Sequence, residues 1–480
     1  MSAPPVPNPR TAPSSEDRLP APSTARHRSR THTDALVNGT EHGEVSTAVV
    51  IGGGIAGTLA AWALRGYAER VIVIERDHYP QQPEFRSGVP QARHAHLVLH
   101  GGHQALEELI PGIGADLAAA GANRVAMSGD LRWLTSAGWM ATHPSELTFL
   151  SCTRPVLDHV VRNRVAVGSD VQFLQGAHVV GLTGSPQAVT GVRIRRRGNF
   201  TEYRLPAQLV IDASGRSTKL PEWLTDIGCR DVPTQTVDAG IAYTTRLFHP
   251  PRRRPEFTAL YLQATRDQPW TGALLPVEDR WIVSLGGMRG HEPEPGTPGF
   301  EKLLTQLQQR DPVLSQTLRD ARPAGDVRNF HAGPSTRRHY EHRTTPSGLV
   351  VLGDAHTTLN PVYGQGVTIA VKGAQALRAA VRHHGGIGHR AAAAARDGIA
   401  AASRDAWLMS SAEDARYPGT LGGPTGRLVR AQHRYLDHVL RRATVDPQIT
   451  AAFERVMSLL DRPTALLRPG IATSVLTGWR

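Results

Sequence analysis

The strongest constraint on this chain is a glycine spacing at the end of a strand. Ala48-Val49-Val50-Ile51 is an apolar run of the kind buried on both faces of a sheet, and Gly52-Gly53-Gly54 closes it at once. From Ile55 to Tyr67 a helix is predicted, with Leu59, Trp62, Ala63 and Gly66 on its apolar face. A second buried strand, Val71-Ile72-Val73-Ile74, then ends in Glu75. In Gly52-x-Gly54-x-x-Gly57 each glycine has its own reason. The first permits a tight turn, the second lets a pyrophosphate approach the backbone, and the third lets helix and strand pack closely. The helix N-terminus offers unpaired N–H groups and positive dipole to phosphates. Glu75 can accept from a ribose 2′-hydroxyl, which disfavours a 2′-phosphate. Gly52, Gly54, Ile55, Ala56, Gly57, Glu75 and Arg76 are the candidate dinucleotide-binding residues. This spacing alone leaves FAD and NAD both open.

A second constellation separates them. Leu349-Val350-Val351-Leu352 reads as a buried strand leading to Gly353-Asp354, and Asn360-Pro361-Val362-Tyr363-Gly364-Gln365-Gly366-Val367 leads into a helix running to about Val381. An aspartate at a strand end can bind a ribityl or ribose hydroxyl. A proline-then-glycine turn at a helix start presents N–H groups where the O2/N1 edge of a flavin gains negative charge on reduction. Leu209-Val210-Ile211-Asp212-Ala213-Ser214-Gly215 adds a third strand ending in an acid and a glycine turn.

With these segments the sequence resembles the flavoprotein monooxygenases of the para-hydroxybenzoate hydroxylase fold. Arg154, in Thr153-Arg154-Pro155-Val156-Leu157, matches the helix arginine by which that family reaches FAD. A narrower resemblance, to bacterial polyether epoxidases, rests on Gly88-Val89-Pro90-Gln91-Ala92-Arg93-His94-Ala95-His96, Thr245-Arg246-Leu247-Phe248 and Asn360-Pro361-Val362-Tyr363-Gly364. It implies FAD as cofactor, NADPH or NADH as reductant, and transfer of one oxygen atom to a polyketide-type alkene through a flavin C4a-hydroperoxide. The product would be an epoxide or alcohol in antibiotic or other secondary-metabolite biosynthesis. Related flavoproteins catalyse [4+2] cyclisation of a linear polyene without net redox, and this is the alternative reading. A flavin-fold reductase or halogenase is a third, though no Trp-x-Trp-x-x-Ile element is present. The chain departs from these families at Asp354-Ala355-His356-Thr357, whose histidine stands one place early, and at Gly364-Gln365-Gly366-Val367, where the epoxidases read Gly-His-Gly-Met. Asp354, Pro361, Gly364, Gly366, Val367, Arg154 and Arg93, the last near the pyrophosphate or the ring, complete the candidate cofactor residues.

No protein catalytic residue is assigned, because the cofactor carries the hard step while the protein positions and dries the site. Tyr243, Arg246, Phe248, Tyr261, Trp270 and Trp281 are the substrate-side candidates. No metal is expected: His94, His96, His100 and His103 lie in a stretch with poor ligand geometry, and Cys152 and Cys229 are too far apart for a thiol-built site.

The resulting fold class is α/β. It comprises a discontinuous Rossmann-like FAD-binding domain, an antiparallel-sheet substrate domain and a C-terminal helical region. The expected boundaries are a disordered tail over 1–46, FAD-binding parts at 47–125, 154–235 (with a β-meander) and 346–385, substrate-domain parts at 126–153 and 236–345, and helices over 386–480. A formal charge of +12 invites nucleic acid as partner. It is set aside because the basic runs are short, scattered and without interleaved aromatics. With no apolar run long enough to span a bilayer and no secretory signal, the expectation is a cytoplasmic enzyme acting on a small polyketide-like molecule. Without a second dinucleotide fingerprint, the reductant docks transiently or a flavin reductase serves as partner.

Overall fold

The computed structural model describes residues 45–168, 170–342 and 344–477. All but the last two residues of the tail expected over 1–46 lie outside the described residues. Strand β1 (Thr47–Ile51), helix α1 (Ile55–Leu64) and strand β2 (Arg70–Glu75) follow one another as the glycine spacing requires. Helix α2 (Arg154–Ala166) leads to β3 (Val171–Gln175), and β4 (Leu209–Asp212) and β5 (Leu349–Val351) complete a five-stranded parallel sheet in the order β5-β4-β1-β2-β3. The sheet is therefore assembled from stretches far apart in sequence. Its apolar runs alternate faces. Ala48, Val50, Val71 and Val73 pack on the helical side with Leu59, Val161 and Val371, whereas Val49, Ile51, Ile72 and Ile74 pack against Val179, Val192 and Trp223. That two-sided burial is why the strands read as unbroken hydrophobic runs.

Two helix ends differ from expectation for local reasons. Helix α1 stops at Leu64 rather than Tyr67 because Gly66 takes φ +77°. Helix α3 (Gly366–His384) runs past Val381 until Gly385, at φ +70°, where the Gly385 and Gly386 N–H groups return to Arg382 and Val381 carbonyls. Helices α4 (His389–Asp414), α5 (Arg427–Ala443) and α6 (Pro447–Met457) follow. No helix among the described residues is long and apolar enough to cross a membrane.

Ala177–Gly184, Val189–Arg196 and Glu202–Pro206 form the expected antiparallel meander. A second, eight-stranded sheet centres on Ala242–His249, Arg280–Gly287, Trp270–Val277 and Ala259–Leu262. It is antiparallel except where Ala259–Leu262 runs parallel to Leu131–Thr135. Its residues sort by the strand period of two. Leu260, Leu262, Leu274 and Val283 pack beneath helices Gly296–Arg310 and Val313–Leu318 through Phe300, Leu303 and Leu314. Tyr261, Ala273, Leu275 and Ser284 face the opposite way, into a chamber described below.

Candidate active site

The glycine turn fits the chain so closely that two of its glycines admit no side chain, while the third leaves open space. Gly52 has φ +91°, and a Cβ there would stand 2.8 Å from the Ala213 carbonyl oxygen. A Cβ on Gly57 would overlap the Gly52 carbonyl oxygen. Gly54, which begins α1, meets nothing within 4 Å, and no side chain caps the helix. The first N–H groups of α1 thus face open space over a bare backbone, which is the surface an anionic pyrophosphate needs. Ile55 is buried, and Ala56 lies 2.7 Å from where a Cβ on Gly353 would be, so the Asp354 turn rests on the first turn of α1.

Glu75 does more than await a ribose. Its carboxylate accepts from the Gly53 N–H at 2.9 Å and the Asp77 N–H at 2.9 Å, and Arg86 Nη1 stands 3.2 Å from Oε2 and 3.7 Å from Asp77. Arg86 also covers the Tyr79 ring at 5.0 Å, and the Tyr79 hydroxyl donates to the Gly53 carbonyl at 3.0 Å. Neither Arg86 nor Tyr79 was anticipated; the signal available was a pair of acids, Glu75 and Asp77, that need a cation once buried. Arg76, by contrast, is exposed and donates to the Gly88 carbonyl at 3.1 Å.

Arg154 opens α2, is buried, and donates to Asp158 at 2.6 Å. Burial holds the Asp354 carboxyl above its ordinary range, while the charges of Arg216 and then Arg154 pull it down. Those electrostatic links place Arg154 and Asp354 in one neighbourhood. Asp212 differs: its carboxylate is wholly buried and accepts from Ser214 and Thr218 of its own turn, so it shapes the loop against Gly52.

The structure does not bring Arg93 to this cluster. Arg93 is exposed and stacks on Phe85 at 4.5 Å. Its neighbours turn inward instead. His94 Nδ1 pairs with Thr245 Oγ1 at 2.8 Å, Thr245 pairs with Ser284 at 2.7 Å, and the His94 ring meets Tyr243 edge-on at 4.7 Å. Burial lowers the His94 pKa to about 3 and that of His96 to about 4, so both are neutral at physiological pH. His96 Nδ1 donates to the His94 carbonyl at 2.9 Å. Among the described residues no group of three or more His, Cys, Asp or Glu side chains could hold a metal ion.

The turn before α3 is tied down from a distance. The Asn360 amide and the Tyr363 hydroxyl each donate to Asp414 Oδ1 at 2.7 Å, and Asn360 Oδ1 accepts from the Val362 N–H at 3.1 Å. Burial pushes the Asp414 carboxyl up to about 6. Gly364 has φ +65° and packs against Leu97. Gly366 has open space where its Cβ would be, and α3, like α1, has no side-chain cap. Val367 faces the core. The site thus joins two uncapped helix N-termini, each beside bare glycine backbone, with an acid and a buried arginine, a donor set that suits an anionic, polar-edged ligand.

Pro361 to Gln365 also form part of the wall of a chamber of about 1450 Å³. Opposite them stand Tyr261, Ala273, Leu275 and Ser284 of the large sheet, and α5 and α6 close the third side through Leu436, Leu440 and Phe453. Of the six substrate-side candidates, Tyr243 and Tyr261 line this chamber. Phe248 and Trp281 pack in the core on the other face of the sheet, Trp270 meets His291 edge-on at 5.3 Å, and Arg246 donates to the Gly325 carbonyl at 3.1 Å. Trp133, Phe149 and Trp407 are lining aromatics that the sequence reading did not pick out.

Residues 44–384 match the FAD binding domain family. Protein Rv3254 of Mycobacterium tuberculosis strain H37Rv is 32% identical over 433 residues, covering 86% of this chain and 90% of that protein. Among solved structures, the flavin-dependent brominase Bmp2 superposes with a TM-score of 0.65 at 16% identity, over 90% of this chain and 98% of the brominase. The p-nitrophenol 4-monooxygenase PnpA of Pseudomonas putida DLL-E4 gives 0.59 at 16% identity, over 87% of this chain and all of the other, 100%. These two likenesses are likenesses of fold.

Proposed function

The chain belongs to the FAD binding domain family, and from that premise we propose that it is an FAD-dependent monooxygenase that adds one oxygen atom to a polyketide-type alkene, by epoxidation or hydroxylation. Bound FAD supplies the redox chemistry. The residues assigned to hold it are the N–H groups of α1 behind Gly52, Gly54 and Gly57 for the pyrophosphate, Glu75 with Arg86 beside it for the ribose end, Arg154 and Asp354 for the middle of the molecule, and Pro361 to Gly366 for the ring. Arg76 and Arg93 are left at the periphery.

The observation that carries the proposal is a large, mainly apolar chamber opening directly onto the Pro361–Gln365 turn. An apolar wall excludes water and positions an extended hydrocarbon. An alkene needs no protein base, whereas a phenol does. The three carboxylates lining the chamber are already engaged: Glu413 pairs with Arg416 at 2.7 Å and accepts from Gln263 at 3.3 Å, Asp405 pairs with Arg462 at 3.4 Å, and Glu341 pairs with His339 at 2.9 Å. His94, held neutral, pairs with Thr245, which pairs in turn with Ser284 on the chamber wall, so this chain of side chains brings no charge there.

The test is turnover of a linear polyene by the flavin-loaded protein with NADPH, NADH or a flavin reductase, in labelled oxygen. The expected product carries one labelled oxygen atom and requires both reductant and O2. A cyclised product formed with neither would overturn the proposal in favour of [4+2] cyclisation. Ala273→Trp places an indole in the middle of the chamber wall. It is expected to lower kcat/KM about tenfold or more while flavin content stays at the wild-type level, since Ala273 is remote from the glycine turn. Unchanged kinetics in this variant would show that the substrate binds elsewhere.

A further inference from the structure

The mouth of the chamber has a composition that its interior does not explain. Leu428, Leu467 and Leu408 line it, yet they are 74%, 59% and 54% exposed. Large apolar side chains gathered at one opening, rather than scattered singly, mark a surface that is covered in use. Around them stands positive charge. Arg404 and Arg462 line the same opening, and Arg427, Arg430 and Arg434 project from the N-terminal half of α5. Helix α5 carries five arginines against one acid, Asp437, which pairs at 2.7 Å with Arg416, the arginine that also holds Glu413; Asp405 and Arg462 pair with each other at 3.4 Å. Only the C-terminal half of α5 is anchored in the core, through Val439, Leu440 and Ala443.

We propose that this rim docks on an anionic phospholipid bilayer, so that an apolar substrate passes from the lipid into the chamber without crossing water. A helix with arginines on one face and leucine on the other lies in the headgroup region of such a surface, apolar side down. Each arginine near an anionic surface adds attraction, and each leucine transferred into the acyl region adds hydrophobic free energy. An occupant apolar enough to fill the chamber partitions into bilayers for the same reason. The inference goes beyond the proposed reaction, because it needs the chamber and its rim but not the chemistry inside.

The test is co-sedimentation of the flavin-loaded full chain with vesicles of phosphatidylcholine alone or mixed with phosphatidylglycerol. Binding is expected to the mixed vesicles and to weaken with added salt. The double variant Leu428→Asn/Leu467→Asn is expected to bind about tenfold or more weakly, with unchanged flavin content. Because the whole chain is basic, location is tested at constant charge. Arg430→Gln/Arg434→Gln should weaken binding about tenfold, while Arg252→Gln/Arg253→Gln, in a loop of the large sheet outside the chamber lining, should leave it within about twofold. Equal loss from both arginine pairs, or no loss from the leucine pair, would reduce the attraction to net charge and overturn the proposal. Failure to bind vesicles while retaining an acidic carrier protein through the same leucines would overturn it as well. Loss of oxygenation with vesicle binding intact would count against the reaction and leave the docking surface standing.

Discussion

Gly57→Ala protein is expected to purify without flavin and to melt well below the wild type. The added methyl would occupy the position of the Gly52 carbonyl oxygen, with the Gly52 carbonyl carbon 3.0 Å away and Val50 at 3.3 Å, all on β1 or its turn. Neither partner is a flexible side chain, so α1 must move off the sheet as a body. The expected loss is about a hundredfold or more in FAD affinity, with several kcal/mol of stability, the range for a steric fault in a packed element. Gly54→Ala is the informative comparison. At φ −76° and ψ −171° an alanine is unstrained, and its methyl enters open space. That variant should fold and melt like flavin-free wild type, yet bind FAD about a hundredfold more weakly, because the methyl stands where the pyrophosphate approaches the helix N–H groups. Flavin titration by fluorescence, with thermal midpoints measured on both forms, separates the two. Wild-type FAD affinity in Gly54→Ala would remove the pyrophosphate from this turn.

What the sequence discloses follows from where physical constraint is local. β1 and β2 are legible because both faces are buried, so the apolar run is continuous, and the turn between β1 and α1 is legible because only glycine satisfies it. The strand Trp270–Val277 is not, although it lies at the centre of the large sheet. Gly272 and Pro276 break its apolar pattern. Gly272 is needed there because Leu307 and Leu314 of the covering helices stand 3.0 and 3.1 Å from where its Cβ would be, a requirement set by residues far along the chain. Arg86 is equally hidden: its partners Glu75 and Asp77 are a loop away, and an arginine in a loop has no periodicity to betray burial. The tether of Asn360 and Tyr363 to Asp414 spans more than fifty positions, 54 and 51 respectively, and joins a turn to the end of a helix whose acid reads as surface. Arg93 fails in the opposite sense. The segment does line the site, but the alternation of inward and outward residues sends His94 in and Arg93 out. The chamber itself is the least legible feature, since its walls come from the large sheet, the turn before α3 and the last helices, and only their packing creates it.

Glu454→Gln is expected to raise stability at neutral and alkaline pH and to leave it nearly unchanged in acid. Glu454 lies on α6 and is 2% exposed; the Ser128 hydroxyl donates to Oε1, and Oε2 is buried without a partner. Burial outweighs that one hydrogen bond and pushes the carboxyl from 4.5 up to about 7. A carboxyl whose folded pKa is raised binds its proton more tightly in the native state than in the unfolded state. Its contribution is therefore most favourable below about pH 4.5, declines as pH rises toward about 7, and stays constant above that. At pH 8 the wild type carries a buried charge worth about 3 kcal/mol of destabilisation, from about 1.4 kcal/mol per pH unit of displacement. Glutamine keeps the shape and the acceptor for Ser128 while removing the charge. The thermal midpoint of the variant should exceed that of the wild type by about 3 °C or more at pH 8, and the gap should close as pH falls toward 4.5. Taking the difference between the two proteins cancels groups common to both, including Asp414, which titrates in the same direction with a value of about 6. A constant gap across this range would mean that Glu454 ionises freely in the folded protein and that the space beside Ser128 admits water.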